Sequence, residues 1–166
     1  MDRTDQAAKD KVMELIKDIP IAMLSTRGPD RKFHSRPMAT SDTAFDGKLY
    51  FLTDIGSGKT HDLEGDAETL VTYSDHSANR YVALRGQGTI SQDRAAISDH
   101  WTAAARAWFP KGKDDPSVAL ITVEIEDAEY WDAPSGRMVM LYAYAKALAT
   151  GQKPGNIGDH DRVSMR

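Results

Sequence analysis

Between residues 21 and 131 the chain repeats one pattern, in which apolar runs of strand length are stopped by turn residues. Ile21–Thr26, Phe33–Thr40, Gly47–Thr53, Glu68–Ser74, Tyr81–Ile90 and Val118–Glu126, the last reaching on to Trp131, read as strands. Most are joined by turn chemistry such as Gly28-Pro29-Asp30. Helical spacing is found mainly at the margins. It covers residues 4–19 (Ala8, Val12, Leu15, Ile16, Ile19), a stretch over 94–106 capped by Asp93 (Ile97, Trp101, Ala104, Ala105) and Arg137–Thr150 (Met138, Leu141, Tyr142, Ala145, Leu148). A brief helix is predicted at Lys59–Gly65. Strands joined by turns, with helices set apart, predict an antiparallel β-barrel with peripheral helices, an α+β architecture. Gly86 and Gly88 inside one strand suggest a bulge or a close backbone approach.

Asp46-Gly47 between two strand-like runs is a hairpin signal. With those two residues as the loop, Phe45 faces Lys48, Thr40 faces Thr53 and Arg36 falls opposite Ser57. The expected domain is 1–150, and the polar, Gly- and Asp-rich stretch 151–166 reads as a mobile tail.

Composition narrows the function. The 166 residues suffice for one buried core. A net charge of −4 argues against a large nucleic-acid surface. The absence of cysteine excludes disulfides, thiol catalysis and Cys-zinc sites. No pair of the five histidines has metal-ligand spacing, and no nucleophile-elbow motif is present. No apolar run approaches the roughly 20 residues of a membrane helix, and no signal-peptide core opens the chain. The expected location is the cytoplasm.

One junction carries chemistry. The strand ending at Thr53 runs into Gly56-Ser57-Gly58, then Lys59 and a helix start. Helix-start amides, hydroxyls and a cation together make an anion site. Many Gly/Ser turns of this kind bind nothing, and the spacing is neither a Walker A loop nor Gly-x-Gly-x-x-Gly. Lysine in a first helical turn is mildly unfavourable unless an anion is nearby, which favours the binding reading.

The stretch Phe51-Leu-Thr-Asp-Ile-Gly-Ser-Gly-Lys-Thr-His-Asp-Leu63 resembles the phosphate-binding strand and helix of the pyridoxamine 5′-phosphate oxidase-like FMN-binding split barrels. His34-Ser-Arg-Pro-Met38 is similar to the preceding strand of that superfamily, and Glu129-Tyr-Trp-Asp132 followed by Arg137 to a late motif of it. With Tyr81-Val-Ala-Leu84 and Trp108-Phe-Pro110, the chain looks most like the general stress protein 26 branch. The resemblance implies a homodimer of six-stranded antiparallel split barrels with flavin sites at the interface. It implies that Arg36, Ser57 and Lys59 meet the FMN phosphate, with Thr53 close by. Backbone of Pro37 and Met38 would lie along the isoalloxazine ring, with Thr72, Tyr73 and Ser74 near it. Trp108 or Trp131 of a second subunit would close the pocket, and Arg137 belongs to the late motif.

Two departures matter. Gly58 stands where true pyridoxamine phosphate oxidases have a second basic residue, and Met138-Val-Met-Leu141 follows Arg137 where they hold substrate. Vitamin B6 oxidation is therefore disfavoured. The expectation is a stress-related flavin binder, with FMN as cofactor and FAD as the alternative. It would be a flavin-dependent oxidoreductase on an unidentified small molecule, or else a non-catalytic module that binds or senses flavin or another phosphorylated ligand. No catalytic side chain and no metal is assigned.

Overall fold

The structure is a computed structural model whose described residues are 3–41, 45–133, 137–151 and 159–165. In chain order the elements are α1 (Arg3–Ile16), β1 (Ile21–Arg27), β2 (Phe33–Ala39), β3 (Lys48–Asp54), α2 (Gly58–Gly65), β4 (Glu68–Asp75) and β5 (Arg80–Ser91). They continue with α3 (Arg94–Asp99), α4 (Ala105–Trp108), β6 (Val118–Asp132), α5 (Arg137–Thr150) and β7 (Asp159–Ser164). The sheet has seven strands in the order β2-β1-β4-β5-β6-β3, with β7 on β6, and every pairing is antiparallel.

The fold is thus the antiparallel barrel with peripheral helices that the patterning predicts, with seven strands where six were expected. The seventh is β7, which lies in the stretch read as a mobile tail. Asp127–Asp132 of β6 pairs with Asp159–Ser164, and the Met165 amide donates to the Glu126 carbonyl at 2.8 Å. Met165 is buried and Val163 packs on the core. Pairing and burial hold residues whose polar composition gave no strand signal.

Alternation builds the core. In β1 and β4 alternate residues point inward, giving Ala22, Leu24 and Thr26, and Thr69, Val71 and Tyr73. Phe51, Leu84, Val82 and Val123 complete the barrel interior, and α1 covers it with Val12, Leu15, Ile16 and, just beyond, Ile19. Each large side chain sealed in this way contributes about 1.5–3 kcal/mol. A second cluster lies against α3, where Ile97 meets Val118 and Leu120, with Tyr50, Leu52, Trp101 and Phe109 alongside.

The Asp46-Gly47 hairpin is not a β2–β3 ladder. Gly47 does take a turn conformation, with φ +99°. Yet β2 pairs with β1 through the Gly28–Lys32 turn, and β3 pairs with β6. β2 contains Pro37, which has no N–H for a ladder, and proline within sheets is confined to edges. Between the two strands' neighbourhoods the Ser41 amide donates to the Tyr50 carbonyl at 3.0 Å. The barrel is therefore split between β2 and β3.

The predicted 94–106 helix is broken into α3 and α4. Asp93 caps α3 as expected, accepting from the Ala95 amide at 3.1 Å. His100 then leaves the helix, stacked on Tyr50 with ring centroids 3.7 Å apart, while its carbonyl accepts from the Ser41 hydroxyl at 3.3 Å. In α5, Ala145 and Leu148 face solvent, although the periodicity placed them inward. The side chains of Met138, Leu141 and Tyr142 lie outside the described residues.

Gly86 marks the bulge that lets β5 follow β6, with the register shifting between Arg85 and Gly86. A Cβ on Gly86 would stand 2.1 Å from the Glu124 carbonyl oxygen. Gly86→Ala is expected to lower stability by about 1–3 kcal/mol. Gly65→Ala, with nothing within 4 Å of the new methyl, is expected to leave it unchanged or raised. Urea unfolding of the two variants measures the difference.

Candidate functional site

The split opens into a cavity of about 540 Å³, within the roughly 300–1,000 Å³ usual for small-molecule sites. β2 supplies Arg36, Pro37, Met38 and Ala39. The end of β3 supplies Leu52, Thr53 and Asp54, and α2 supplies Lys59. The α3–β6 connection forms the far wall with His100, Trp108, Phe109 and Lys111 among others. The cavity therefore has a cationic end at Arg36 and Lys59 and apolar walls made by Met38, Leu52, Trp108 and Phe109.

The cationic end is built by the strand–turn–helix junction. The Asp54 side chain accepts from the Gly56 amide at 2.7 Å and shapes the turn. The Thr60 and His61 amides bond the Ser57 carbonyl. The amides of Gly58 and Lys59 lie ahead of the helix ladder and have no acceptor within it. Ser57 occupies the cap position without a side-chain cap hydrogen bond, and its hydroxyl lies 3.3 Å from that of Thr53. Ser57 itself does not line the cavity.

Lys59 is half-buried, and among the described residues no carboxylate pairs with it. Burial pushes its ammonium below the usual lysine range, the nearby Arg36 charge pushes it the same way, and Asp54 opposes them in part. Arg36 is anchored from behind. Its Nη1 donates to Thr26 Oγ1 at 2.6 Å, and its Nη2 stands 3.5 Å from Asp62 Oδ2. Two cations facing one space, one of them without a carboxylate partner, make a site suited to an anion.

The family model for pyridoxamine 5′-phosphate oxidase-like proteins matches residues 7–155. The chain belongs to that family. Within this pyridoxamine 5′-phosphate oxidase-like family it falls in the general stress protein 26 branch. It is 27% identical over 153 residues to protein bli-3 of Neurospora crassa, covering 86% of this chain and 73% of that one. A crystal structure of a general stress protein 26 from Jannaschia sp. CCS1 superposes with a TM-score of 0.72 at 27% identity, covering 96% of this chain and 99% of the other. The general stress FMN/FAD binding protein of Xanthomonas citri superposes with a TM-score of 0.65 at 22% identity, covering 76% and 89%, and so shares the fold.

The remaining residues named for the pyridoxamine 5′-phosphate oxidase-like site are dispersed. Tyr73 points into the core, bonds Thr40 at 2.8 Å and lines a separate cavity of about 340 Å³. Burial pushes its phenol up to about 12, partly offset by Thr40. Thr72 and Ser74 flank it on the outer face of β4. Trp108 is 80% exposed at the mouth of its own chain's cavity. Trp131 lies on the outer face of β6, stacked on His160 at 5.0 Å, and does not line that cavity. Arg137 opens α5, and its side chain lies outside the described residues.

Sequence reasoning gave no role to Asp62, Thr26 or the far-wall residues His100, Phe109 and Lys111. Asp62 sits one helical turn beyond Lys59, a spacing that puts both on one side of α2. Among the described residues no group of three or more His, Cys, Asp or Glu is arranged to hold a metal, and no helix is long and apolar enough to cross a membrane.

Asp62 also sets an acid limit. Burial pushes its carboxyl up, but the hydrogen bonds from Thr26 and His34 and the charges of His34 and Arg36 outweigh it and hold the group below the usual carboxylate range. A carboxyl lowered on folding stabilises the fold above its unfolded value near 4, and that contribution fades as pH falls through the lower folded value. Thermal unfolding from pH 7 to pH 2 is expected to show a shallower acid limb for Asp62→Asn than for the parent protein.

Proposed function

We propose that the chain is a flavin-binding protein whose split holds FMN, with FAD as the alternative, and that it works as a homodimer. The observation that carries this reading is the half-buried Lys59, which among the described residues forms no ion pair with a carboxylate, beside Arg36 at one end of an apolar cavity. A phosphate ester with close to two negative charges would be balanced by those two cations and the first-turn amides of α2. Arg36 suits a forked contact and Lys59 a point contact. Thr53 and Ser57 would support the phosphate end. Pro37, Met38 and Trp108 would wall the flat ring, which needs apolar neighbours. The name of the Xanthomonas citri relative, an FMN/FAD binding protein, supports the same cofactor class.

The homodimer reading rests on the outer sheet face. Ile21, Met23, Phe33 and Leu70 are exposed there, at 50%, 38%, 73% and 40%. Register puts Pro37, Met23, Thr72 and Ala83 in one row across β2, β1, β4 and β5. An exposed apolar face of this kind marks an interaction surface. Because the row begins at a cavity-lining residue, a second copy seated on it would border the cavity and bring its own side chains to the rim. Thr72, Ser74, Trp131 and Arg137 would then act from the interface, and Tyr73 by packing behind it.

A bound flavin would supply electron and hydride transfer, and the protein would supply orientation, charge balance and exclusion of water. The small-molecule partner of an oxidoreductase reaction would enter past Trp108 and His100. Reduction of bound flavin by NADH or NADPH, followed by reoxidation, separates turnover from simple storage or sensing.

Titration with FMN is expected to quench flavin fluorescence at micromolar concentration. Lys59→Ala is expected to weaken FMN about tenfold or more while sparing riboflavin, since a charge-assisted hydrogen bond is worth about 1.5–3 kcal/mol. Equal weakening of both ligands counts against a phosphate role. The double variant Met23→Glu, Leu70→Glu is expected to sediment as a monomer and to bind FMN more weakly. A dimer that persists in that variant rejects this face as the interface.

A further inference from the structure

Asp62 is a buried carboxylate that the phosphate reading leaves without a role. Its side chain is 6% exposed. One oxygen, Oδ2, accepts from Thr26 Oγ1 at 2.8 Å and faces Arg36 Nη2 at 3.5 Å and His34 Nδ1 at 3.2 Å. Thr26 is fully buried, and its hydroxyl oxygen accepts from Arg36 Nη1 at 2.6 Å. The Leu24 carbonyl stands 3.5 Å from the same Nη1.

These contacts form a directed relay. A threonine hydroxyl has one proton, and here it goes to Asp62. The lone pairs of Thr26 are thereby turned toward Arg36. The carboxylate also faces the second guanidinium nitrogen directly. Arg36 is thus gripped through both terminal nitrogens, while its five N–H donors exceed the contacts made and the residue still lines the cavity.

An arginine side chain gives up considerable rotamer freedom when it binds, and fixing it beforehand removes that loss from the binding step. The relay also places a negative charge behind two neighbouring cations. Such a charge lets Arg36 and Lys59 share one small space before any anion arrives.

We propose that Thr26 and Asp62 are positioning residues that hold the Arg36 guanidinium in one orientation, so that with Lys59 it receives a phosphate monoester. The inference rests on the phosphate reading given under Proposed function. It deepens that reading by assigning the selectivity for a phosphorylated over an unphosphorylated flavin to a buried pair outside the cavity lining.

The test is titration of the full chain with FMN and with riboflavin. Thr26→Val keeps the shape and removes the relay. It is expected to weaken FMN about tenfold, with riboflavin unchanged. Thr26→Ser restores the hydroxyl and is expected to restore FMN binding. Asp62→Asn keeps the volume and provides the sign test. If the carboxylate acted only through its charge, removing it would tighten FMN. A positioning role predicts weakening.

Thr26→Val with native FMN affinity, Thr26→Ser no better than Thr26→Val, or Asp62→Asn with unchanged or tighter FMN overturns the proposal. Loss of FMN and riboflavin in equal measure by folded variants overturns it too. Arg36→Ala separates the two readings. If it weakens FMN and Thr26→Val does not, only the positioning role fails. If it spares FMN, the phosphate reading fails and carries the positioning role with it.

Discussion

Two edge strands, β2 and β3, end beside each other without forming a ladder, and the site exists because they do not. β2 is joined to β1 and β3 to β6, so the sheet curls round until its two edges meet. Proline in β2 cannot donate a ladder hydrogen bond, and the Ser41 amide on the Tyr50 carbonyl is a single bond beside the seam rather than part of a ladder. A closed ladder at this seam would bring the β2 and β3 backbones within about 5 Å and leave no room for the cavity between them. The open seam puts backbone of β2, the end of β3 and the start of α2 around one space.

Electrostatics then shape that space. A half-buried ammonium beside a guanidinium is a costly arrangement in a single chain, and the depressed proton affinity of Lys59 is the sign of that cost. Asp62 relieves it on the Arg36 side, while at Lys59 the charge of Asp54 offsets it only in part. The balance is asymmetric: one cation is held by a carboxylate contact, and the other forms no ion pair among the described residues. Such asymmetry suits a ligand with a doubly charged end and a flat apolar body, because the walls beyond the cations are Met38, Leu52, Trp108 and Phe109.

The outer face of the sheet connects to the same space. Residues that alternate outward from β1 and β4 include large apolar side chains, where a solitary barrel would carry polar ones. Cross-strand register makes this surface continuous with the β2 edge of the cavity. The exposed apolar face and the cavity are therefore neighbours on either side of β2.

Much of this was written in local pattern. Apolar runs bounded by turn residues marked the six strands of the β2-to-β3 path, helical spacing marked α1 and α5, and Asp93 marked the start of α3, because each depends on neighbours a few residues apart. The strand–Gly/Ser–Lys junction was legible for the same reason, and with it Lys59. Arg36 was placed near it by a hairpin that the structure replaces with a different route, the curl of the whole sheet. β7 was missed because its polar residues are held by pairing with β6, which no local signal encodes. The break after Asp99 was missed because stacking of His100 on Tyr50 is a contact across fifty residues. By itself the sequence determined the strands, the helix starts and the cation at the turn, since these follow from local sterics and spacing. Only the tertiary structure decided which strands pair, where the barrel stays open, and that Thr26 and Asp62 stand behind Arg36, since such long-range contacts are chosen by how the whole core packs.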